Sequence, residues 1–348
     1  MTATQLAGDG GIVPAVDRST ARSWDERVLG AHSIPHFMQS HSWAEARRPG
    51  PWRSERLELV GHPVQRFARV ADGFGTVHHL PRVSGVAPGS VAALTESLLA
   101  DRGDAIGVKL EVYQPVDEAL VRAFREHGWV PSRASQYRHG VVVDTARPLD
   151  DILAGMKKRA RAEIRIAERN GVVVRRVDFD PPSRRRMHEL VAMTSERSQS
   201  LLRSRDYLDR VWSAFERDGR GHLYFASCDG TVVAGAVVLE FGPNAWYKDG
   251  GSTRTHPKAM ASRLLHWRII RDLAEAGTER YDLGNIPPAD APHPAGSGLR
   301  VFKTGFAREE VEFMPAFDLA YRPEHARWRA AEAEFLRDYR ARTGDYWY

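Results

Sequence analysis

The 348-residue sequence is poor in several features whose chemistry is easy to recognise. Cys228 is its only cysteine, which excludes an intrachain disulfide and a cysteine-based zinc site and fits a reducing compartment. No stretch approaches the ~18 consecutive apolar residues of a transmembrane helix, and the N-terminal stretch lacks the basic and apolar regions of a secretion signal. The sequence therefore predicts a cytoplasmic protein without an integral membrane segment.

Common nucleotide-binding and nucleophile motifs are also missing. The chain has no Gly-x-x-x-x-Gly-Lys loop, no dinucleotide-binding glycine motif and no Gly-x-Ser-x-Gly elbow. His78-His79 and His293 lack the paired carboxylate or histidine spacing of a metal site. We therefore expect no metal ion and no bound cofactor.

Lysine is scarce, with 6 lysines among the 50 basic residues. The many arginines have a simple explanation in GC-rich coding, but the positions of the charges are more informative. Residues 156–176 carry eight basic and two acidic side chains, a local charge of +6, whereas the whole chain carries +5. This concentration indicates a local anion-binding site and not a general DNA-binding surface.

The second half of the chain has clear periodic patterns. They predict a helix at residues 150–169, a strand at 172–177, helices at 182–195 and 205–218, and strands at 222–228 and 231–241. Asp229-Gly230 between the last two strands predicts a type I′ turn. A strand at 245–249, a helix from Pro257 to Gly277 and a strand at 281–283 follow. This order is found in the GCN5-related N-acetyltransferase (GNAT) fold.

The first half is a looser copy of this pattern. Strands are predicted near residues 55–60, 64–70, 75–80 and 108–113, and helices at 91–100 and 116–126. We infer an α/β (α+β) fold with two tandem GNAT-like domains, whose mixed, mostly antiparallel sheets are flanked by helices. Residues 1–25 are a frayed lead-in, 26–146 the first domain, 147–320 the second, and 321–348 a C-terminal helix that packs back on the first domain.

The junction where a GNAT enzyme binds CoA is atypical here. Such enzymes hold the pyrophosphate on backbone N–H groups of a glycine-rich turn at a helix N-terminus. In residues 250–258 the glycines come early and then stop, and Pro257 is expected to remove one of these donors. Acetyl-CoA is therefore disfavoured as the donor.

Five ordered segments resemble the FemABX family of aminoacyl-tRNA-dependent peptidyltransferases. They are FMQSHSW at 37–43, MKKRARAEIRIAERNGVVVRR at 156–176, YKDGGS at 247–252, HWRIIRDLAEAGTERYDLGN at 266–285 and GLRVFKTGFARE at 298–309. The length, without a charged insertion suited to a coiled-coil arm, resembles the compact, FemX-like members. Those members modify a soluble, nucleotide-linked peptide.

The resemblance implies transfer of an aminoacyl group from aminoacyl-tRNA, the co-substrate, to an amine of a peptide or muropeptide acceptor. A peptidoglycan precursor is the first expectation for that acceptor, and we expect a monomer. Three alternatives stay open: tRNA-dependent amide formation in natural-product biosynthesis, an acyl-CoA-dependent N-acyltransferase of the same fold, and a non-catalytic tRNA-binding module.

Phe302-Lys303 is the strongest catalytic candidate. In the family the matching lysine is thought to stabilise the tetrahedral species that forms when an amine attacks the aminoacyl ester. A fixed ammonium can perform this task, and an aromatic neighbour shelters it from water. The alternative is a surface lysine beside a core phenylalanine.

The basic segment supplies the tRNA-binding candidates. Lys157, Arg161, Arg165 and Arg169 recur every four residues and would form a ridge along one helix, with Lys158 beside it. Such a ridge suits the phosphate backbone of a tRNA acceptor stem, and its alternative is a solvated helix face.

The acceptor site is less defined. The resemblance implies one basic residue after Trp43 and one arginine of the second domain on the acceptor's diphosphate. The spacing does not fix which arginine of each pair corresponds to the family residue. The nearest matches are Arg47 or Arg48 and Arg197 or Arg203. Tyr247 and Lys248 are further candidates, as cleft wall and phosphate partner.

No enzyme-borne general base is evident. Where the family often has Asp-Pro, this chain has Gln114-Pro115. Glu111 is interpreted as facing solvent or a salt bridge, and Asp282 as a structural residue near Gly284. Proton transfer through the tRNA ribose hydroxyl is an available substitute.

Overall fold

The computed structural model describes residues 20–198, 200–289, 294–307 and 309–348, with residues 294–297 as backbone only. Most of the predicted lead-in, up to residue 19, and Arg308 of the last motif lie outside the described residues. No helix in the described ranges is both long and apolar enough to cross a membrane.

Helices and strands are interspersed along the described part of the chain. The first stretch forms α1 (Ala21–Ala31), α2 (His41–Arg47), β1 (Arg53–Leu59), β2 (His62–Ala71), β3 (Gly75–Val83), α3 (Val91–Ala100), β4 (Gly107–Val112), α4 (Glu118–Glu126) and β5 (Val130–Ser132). The middle stretch forms β6 (His139–Asp144), α5 (Leu149–Gly155), α6 (Lys158–Arg169), β7 (Val173–Val177), α7 (Pro181–Ser198), α8 (Arg205–Arg217), β8 (Gly221–Cys228), β9 (Thr231–Phe241), β10 (Asn244–Ser252), α9 (Ala261–Glu275), β11 (Arg280–Ile286), α10 (Pro294–Lys303) and β12 (Val311–Glu312). The last stretch forms β13 (Ala316–Ala320) and α11 (Glu324–Thr343).

The chain divides into two units, each built around one sheet. Unit 1 ends its first segment at Ser135 and resumes with Phe313–Tyr348, and unit 2 is Gln136–Glu312. The sheet orders are β1-β2-β3-β4-β13-β5 and β12-β6-β11-β10-β9-β8-β7. Each sheet has a single parallel pair, β3 with β4 and β10 with β11, and is otherwise antiparallel. The predicted mixed, mostly antiparallel sheets are therefore confirmed.

The units differ from the predicted domains at two strands. The predicted boundary at residue 146 places β6 in the first domain, but β6 pairs with β11 in the sheet of unit 2. β13, predicted to end the second domain, pairs with β4 in unit 1. In both sheets a strand distant in sequence pairs antiparallel beside the second strand of the parallel pair. Backbone hydrogen bonding thus decides a boundary that the sequence pattern does not reveal.

The β8–β9 hairpin follows the sequence prediction. Asp229 and Gly230 have φ values of +49° and +74°, as a type I′ turn requires. At this turn the side chains of Cys228, the last residue of β8, and Asp229 lie close together, with 3.8 Å between Sγ and Oδ2.

One predicted helix is two. The sequence predicts a continuous helix over residues 150–169, but the backbone is extended at Met156 and Lys157, between α5 and α6. The Lys157 amide donates to the carbonyl of Gly305 at 3.0 Å, in the turn after α10. A guanidinium N–H of Arg161 donates to the Ala154 and Met156 carbonyls, at 2.9 and 2.6 Å, and satisfies acceptors at the end of α5. The helix is therefore interrupted at Met156 and Lys157, where the bond to Gly305 and the Arg161 side chain satisfy backbone groups that a continuous helix would pair internally.

The start of α9 also differs from the prediction. Pro257 opens a separate 3₁₀ turn, Pro257–Ala259, and α9 begins at Ala261 after Met260, which has a positive φ of +54°. The proline therefore does not remove a donor from the first turn of α9. The argument against CoA then depends on the glycine pattern alone.

Helix α6 is amphipathic, as predicted. Ala160, Ile164 and Ala167 are buried in the core of unit 2, whereas Arg165 and Arg169 are exposed. The apolar stripe places α6 against α9.

Candidate active site

The Phe302-Lys303 motif ends α10 and runs directly into a turn. The Gly305 amide donates to the Phe302 carbonyl and the Phe306 amide to the Lys303 carbonyl, each at 3.1 Å. These bonds hold both motif side chains in fixed positions relative to the turn.

Lys303 is buried, with 7% of its surface exposed. Its Nζ donates to the backbone carbonyl of Asn285 at 3.0 Å. The part of the chain that the structure describes puts no carboxylate in ion-pair contact with this ammonium. Burial lowers the pKa of Lys303 to about 8, while the charge of Asp282 acts in the opposite direction. The lysine is therefore still mostly an ammonium at neutral pH, and it is poorly solvated.

An irregular stretch within β11, where the pairing with β6 shifts register between Asp282 and Asn285, forms the other side of the Lys303 site. The Asp282 carboxylate accepts a 2.6 Å hydrogen bond from the Gly284 amide, which agrees with the structural role expected for it. Gly284 has a φ of +81°, and a Cβ on it would lie 3.2 Å from the Lys303 Nζ. Glycine at this position permits both the turn and the close approach of the ammonium.

Phe302 lies in a cluster of aromatic rings. Its ring centroid is 5.4 Å from those of His266 and Phe306, and the guanidinium of Arg263 is 4.5 Å from it. The predicted pairing of a lysine with a sheltering aromatic side chain is thus present. Both side chains of the motif contact buried neighbours, so the surface-lysine alternative does not describe this geometry.

Arg263 connects the motif to the basic helix. It is buried, donates to Glu163 of α6 at 2.6 Å and to the Phe302 carbonyl at 2.5 Å. A Cβ on Gly305 would lie 2.5 Å from its guanidinium, so the turn approaches Arg263 closely. Although burial opposes ionisation, hydrogen bonds from Arg159 and Arg263 hold the pKa of Glu163 below its usual value.

His266, like Arg263, is a buried residue that the sequence analysis did not identify. Its Nδ1 is 3.0 Å from the Tyr281 hydroxyl, and its ring centroid is 4.5 Å from that of Tyr247. Burial, reinforced by the charges of Arg263 and Lys303, lowers the pKa of His266 to about 3. The imidazole is therefore neutral at physiological pH and a weak base. Its place in the quoted motif at 266–285 was the available clue.

Tyr247 lies on β10 with its ring near Lys303. The register of β9 and β10 shifts between Tyr247 and Asp249, and the tyrosine ring lies against the Cα of Gly250, where a Cβ would clash with it. The Lys303 Nζ is 6.0 Å from the ring centroid. Burial raises the pKa of the Tyr247 hydroxyl, which stays protonated. This places Tyr247 and Lys303 together, as a wall and a charge.

The start of the basic helix lies at the same turn. Lys157, which precedes the first turn of α6, donates from Nζ to the Thr304 hydroxyl at 2.9 Å. Thr304 directly follows Lys303. The positive end of the helix dipole and Lys157 therefore lie beside the Phe302-Lys303 motif.

Other members of the basic ridge differ in their surroundings. Lys158, Arg165 and Arg169 are exposed on α6. Arg161 is half-buried and occupied with the α5 carbonyls, so it contributes less to a binding face than the spacing suggests.

The comparisons with known proteins concern both sequence and fold. Residues 154–293 match the model of the acetyltransferase (GNAT) domain family. Lipid II:glycine glycyltransferase of Staphylococcus aureus is 22% identical over 225 residues, 59% of this chain and 53% of that protein. The chain thus spans about half the length of the curated relatives it matches.

Solved structures extend the likeness to almost the whole chain. The crystal structure of FemX has a TM-score of 0.77 at 18% identity, covering 91% of this chain and 100% of that one. The fold is that of FemX. A tandem GNAT protein from the clavulanic acid biosynthesis pathway has a TM-score of 0.50 at 15% identity, covering 89% and 98%. The resemblance to the FemABX family and the tandem GNAT-like fold are thereby confirmed.

Within this FemX-like fold, the acceptor-binding candidates of unit 2 have different surroundings. Arg203 lies over the ring of Tyr207 at 4.7 Å, and the Lys248 Nζ is 5.8 Å from the same ring. Burial disfavours the charge of Lys248, but Asp249, at 3.2 Å, and Tyr207 raise its pKa overall. Arg197 instead donates to the Ser252 carbonyl at 2.9 Å. Arg203 and Lys248 therefore lie at the same ring, with Lys248 ion-paired to Asp249, and Arg197 supports the end of β10.

The candidates of unit 1 also differ from each other. Arg47 is half-buried, with its guanidinium 5.5 Å from the ring of Trp52 and 5.8 Å from that of Trp43. Arg48 is exposed and paired with Glu45 at 2.6 Å. Arg47 is thus the member of the pair with a defined position.

Gln114 and Glu111 have structural partners in unit 1. The Gln114 side chain accepts from the Gly85 and Val86 amides, at 3.1 and 3.3 Å, where the family often has a carboxylate. Glu111 is buried and does not face solvent. It has the other expected surroundings, a salt bridge, with Arg82 at 4.0 Å, and it accepts from the Ser135 amide at 2.6 Å. Burial opposes its ionisation, but His79 and Arg82 hold the pKa of Glu111 well below its usual value.

Proposed function

We propose that the protein transfers an aminoacyl group from aminoacyl-tRNA to an amine of a peptidoglycan-precursor peptide. The observation that carries the proposal is Lys303, a buried ammonium with one backbone carbonyl as its hydrogen-bond acceptor at 3.0 Å. A buried charge without a carboxylate partner is costly to fold and is characteristic of a catalytic site.

The reaction requires little chemistry from the protein. The acceptor nitrogen attacks the ester carbonyl carbon, a C–N bond forms, and the carbonyl oxygen becomes an oxyanion. The C–O bond to the tRNA ribose then breaks, and the proton from the amine goes to the ribose oxygen. Lys303 donates a hydrogen bond to the oxyanion, and removal of such a donor costs on the order of 10²–10³ in rate.

An enzyme-borne base is not part of this proposal. His266, with a pKa lowered to about 3, is the imidazole at the motif and is a poor proton acceptor. The activated ester and the positioning of the amine supply most of the rate acceleration. Proton transfer through the ribose hydroxyl completes the reaction without a protein group.

The position of α6 supports tRNA as the donor. The backbone contact of Lys157 with Gly305 and its side-chain contact with Thr304 join the start of the basic helix to the motif turn. Phosphates bound along Lys158, Arg165 and Arg169 would lead the aminoacylated end of the tRNA toward Lys303. Such contacts provide affinity without base specificity.

The acceptor assignment depends on two kinds of support. The sequence similarity to lipid II:glycine glycyltransferase favours a peptide of a cell-wall precursor. In unit 2, Arg203 and Lys248 lie around the Tyr207 ring, and an anionic group of that acceptor would compete with Asp249 for the Lys248 ammonium. The amino acid transferred is to be read from the product.

The test is a transfer assay with total charged tRNA and separate nucleotide-linked and lipid-linked muropeptides, read by the mass added to each acceptor. We expect one aminoacyl mass that disappears when the tRNA is digested with RNase. Lys303→Met should reduce the rate on the order of 10²–10³, and Lys258→Met, at an exposed lysine, should not.

Three results would contradict the proposal. A product that survives RNase and requires acyl-CoA would assign the acyl-CoA alternative. Full activity of a folded Lys303→Met variant would remove Lys303 from the mechanism. Tight tRNA binding without transfer to any amine, including small natural-product amines, would leave a tRNA-binding module.

A further inference from the structure

Three side chains that the proposed reaction does not use converge at the β8–β9 turn. They are Cys228, Asp229 and His256, and one sulfur, carboxylate oxygen or imidazole nitrogen from each lies within 4.8 Å of the other two. The Asp229 Oδ2 is 3.8 Å from the Cys228 Sγ and 3.7 Å from the His256 Nε2. Bond lengths to zinc of ~2.0–2.3 Å in a tetrahedral site put ligand atoms roughly 3.4–3.6 Å apart. The two separations from the Asp229 Oδ2 are within a few tenths of an ångström of that geometry, and the third pair, Cys228 with His256, lies within 4.8 Å.

Two of the three side chains are fixed by the hairpin. Cys228 is 5% exposed at the end of β8, and Asp229 is the first residue of the type I′ turn, with φ of +49°. Consecutive residues in a tight turn bring a thiol and a carboxylate to the same point without further contacts. Asp229 is the solvent-facing member, with 80% of its side chain exposed, so an ion could enter from that side.

The histidine is oriented by a neighbour. The Nδ1 of His256 is 3.3 Å from the Thr255 hydroxyl, and that hydroxyl is 2.7 Å from the Thr253 hydroxyl. With Nδ1 as the donor, the lone pair is on Nε2, the atom that faces Asp229. Metal-binding histidines usually have such a partner on the second nitrogen, which fixes tautomer and ring direction.

The C-terminal end of α6 contributes a negative field. The carbonyl of Asn170, the residue that caps α6, is 3.9 Å from the Cys228 Sγ. The partial negative charge at a helix C-terminus favours a cation. The Asn170 side chain also donates to the Lys258 carbonyl at 2.9 Å and so connects the end of α6 with the loop that carries His256.

We propose that Cys228, Asp229 and His256 bind one Zn²⁺ ion, with a fourth position open to water or the Asn170 carbonyl. A thiolate, an imidazole and a carboxylate form a ligand set that suits zinc, whereas Mg²⁺ and Ca²⁺ prefer oxygen alone. This proposal departs from the sequence expectation of no metal ion: a single cysteine excludes a site made of cysteines but not a mixed site. The ion would tie the hairpin turn, the loop before α9 and the end of α6 together, and it does not depend on the proposed aminoacyl transfer.

The experiment measures Zn²⁺ binding by the untagged full-length chain after treatment with a chelator. We expect one equivalent by elemental analysis after dialysis, a cobalt–thiolate charge-transfer band on substitution with Co²⁺, and a higher thermal midpoint with zinc. Cys228→Ser and His256→Ala should abolish all three responses. Thr255→Val should weaken binding on the order of tenfold.

His127→Ala is the matched control, because His127 is an exposed histidine of unit 1 and the three proposed ligands belong to unit 2. It should bind Zn²⁺ like the unaltered chain. Less than a tenth of an equivalent in the unaltered chain would overturn the proposal. So would unchanged uptake in folded Cys228→Ser and His256→Ala variants, since the zinc would then be bound elsewhere.

Discussion

Among the described residues, Lys109 of unit 1 and Lys303 of unit 2 are buried lysines, and the two have opposite surroundings. In unit 1, the Nζ of Lys109 lies 3.0 Å from Asp318 and 3.3 Å from Glu332, and it donates to the Ser132 hydroxyl and the Arg133 carbonyl at 2.9 Å each. In unit 2, Lys303 has a backbone carbonyl as its acceptor and a pKa lowered to about 8.

The difference separates structural from functional burial. Two carboxylates and two further acceptors compensate the desolvation of Lys109, so its charge belongs to the core of unit 1. Lys303 is buried to a similar degree, at 7% against 3% exposed, with much less compensation. An ammonium with unused hydrogen-bonding capacity can bind an oxyanion, whereas a saturated one cannot.

The largest effect should come from Lys109→Met. This change leaves Asp318 and Glu332 buried without their shared cation, and breaking such a network costs roughly 3–5 kcal/mol. Urea unfolding of the full chain would measure the loss, with Lys258→Met as an exposed control. A loss below about 1 kcal/mol would mean that the two buried lysines are not different in the way proposed.

Lys303→Met should raise the free energy of unfolding, whereas Lys109→Met should lower it. The unfolded lysine has a pKa of 10.5 and the folded one about 8, so between these values the unfolded chain binds more protons and stability rises with pH. Below that window the lowered pKa destabilises the fold by up to about 3 kcal/mol. The variant should therefore be more stable than the unaltered chain near pH 7, with the gain shrinking as the pH rises through 8 toward 10.5. Thermal unfolding at pH 7 and pH 9.5 measures the gain in stability and its decrease with pH. A variant less stable than the unaltered chain at pH 7 would contradict the interpretation.

Arg263→Lys tests whether the motif is held from α6. Lysine keeps a charge near Glu163 but cannot also donate in a fork to the Phe302 carbonyl or stack on its ring. We expect kcat to fall on the order of 10- to 100-fold with little change in KM, because the catalytic geometry loosens while substrate contacts stay. Arg268→Lys, at an exposed arginine paired with Asp272 on the same helix, is the control. Equal effects of both changes would show that the buried contacts are irrelevant to transfer.

The smallest expected effect is on the salt dependence of tRNA binding by the exposed face of α6. Replacing Arg165 by Ala should reduce the slope of log K against log salt for tRNA binding by about 1, uniformly across tRNA species. Arg125→Ala on α4 in unit 1 should leave the slope unchanged. If the two variants have the same slope, α6 is an ordinary solvated helix.

Much of this site was predictable from local sequence. The Asp229-Gly230 turn, the amphipathic α6 and the turn at Asp282 and Gly284 each depend on residues within a few positions of one another. The FemABX resemblance identified Phe302 and Lys303 in the same way, as neighbours in one motif. It did not identify Arg263 or His266, because an arginine and a histidine in an apolar helix have no local pattern that distinguishes buried from exposed positions.

By itself, the sequence determined two tandem GNAT-like units, a concentrated positive charge in one helix and a Phe-Lys motif. Only the tertiary structure decided that β6 and β13 complete the sheets, that the helix breaks at Met156, and that Lys303 is buried beside the Asn285 carbonyl. The physical reason is the range of the interactions. Periodicity and turn chemistry reflect hydrogen bonds between near neighbours, whereas the bond from Lys157 to Gly305 and the desolvation of Lys303 arise only when distant segments pack together.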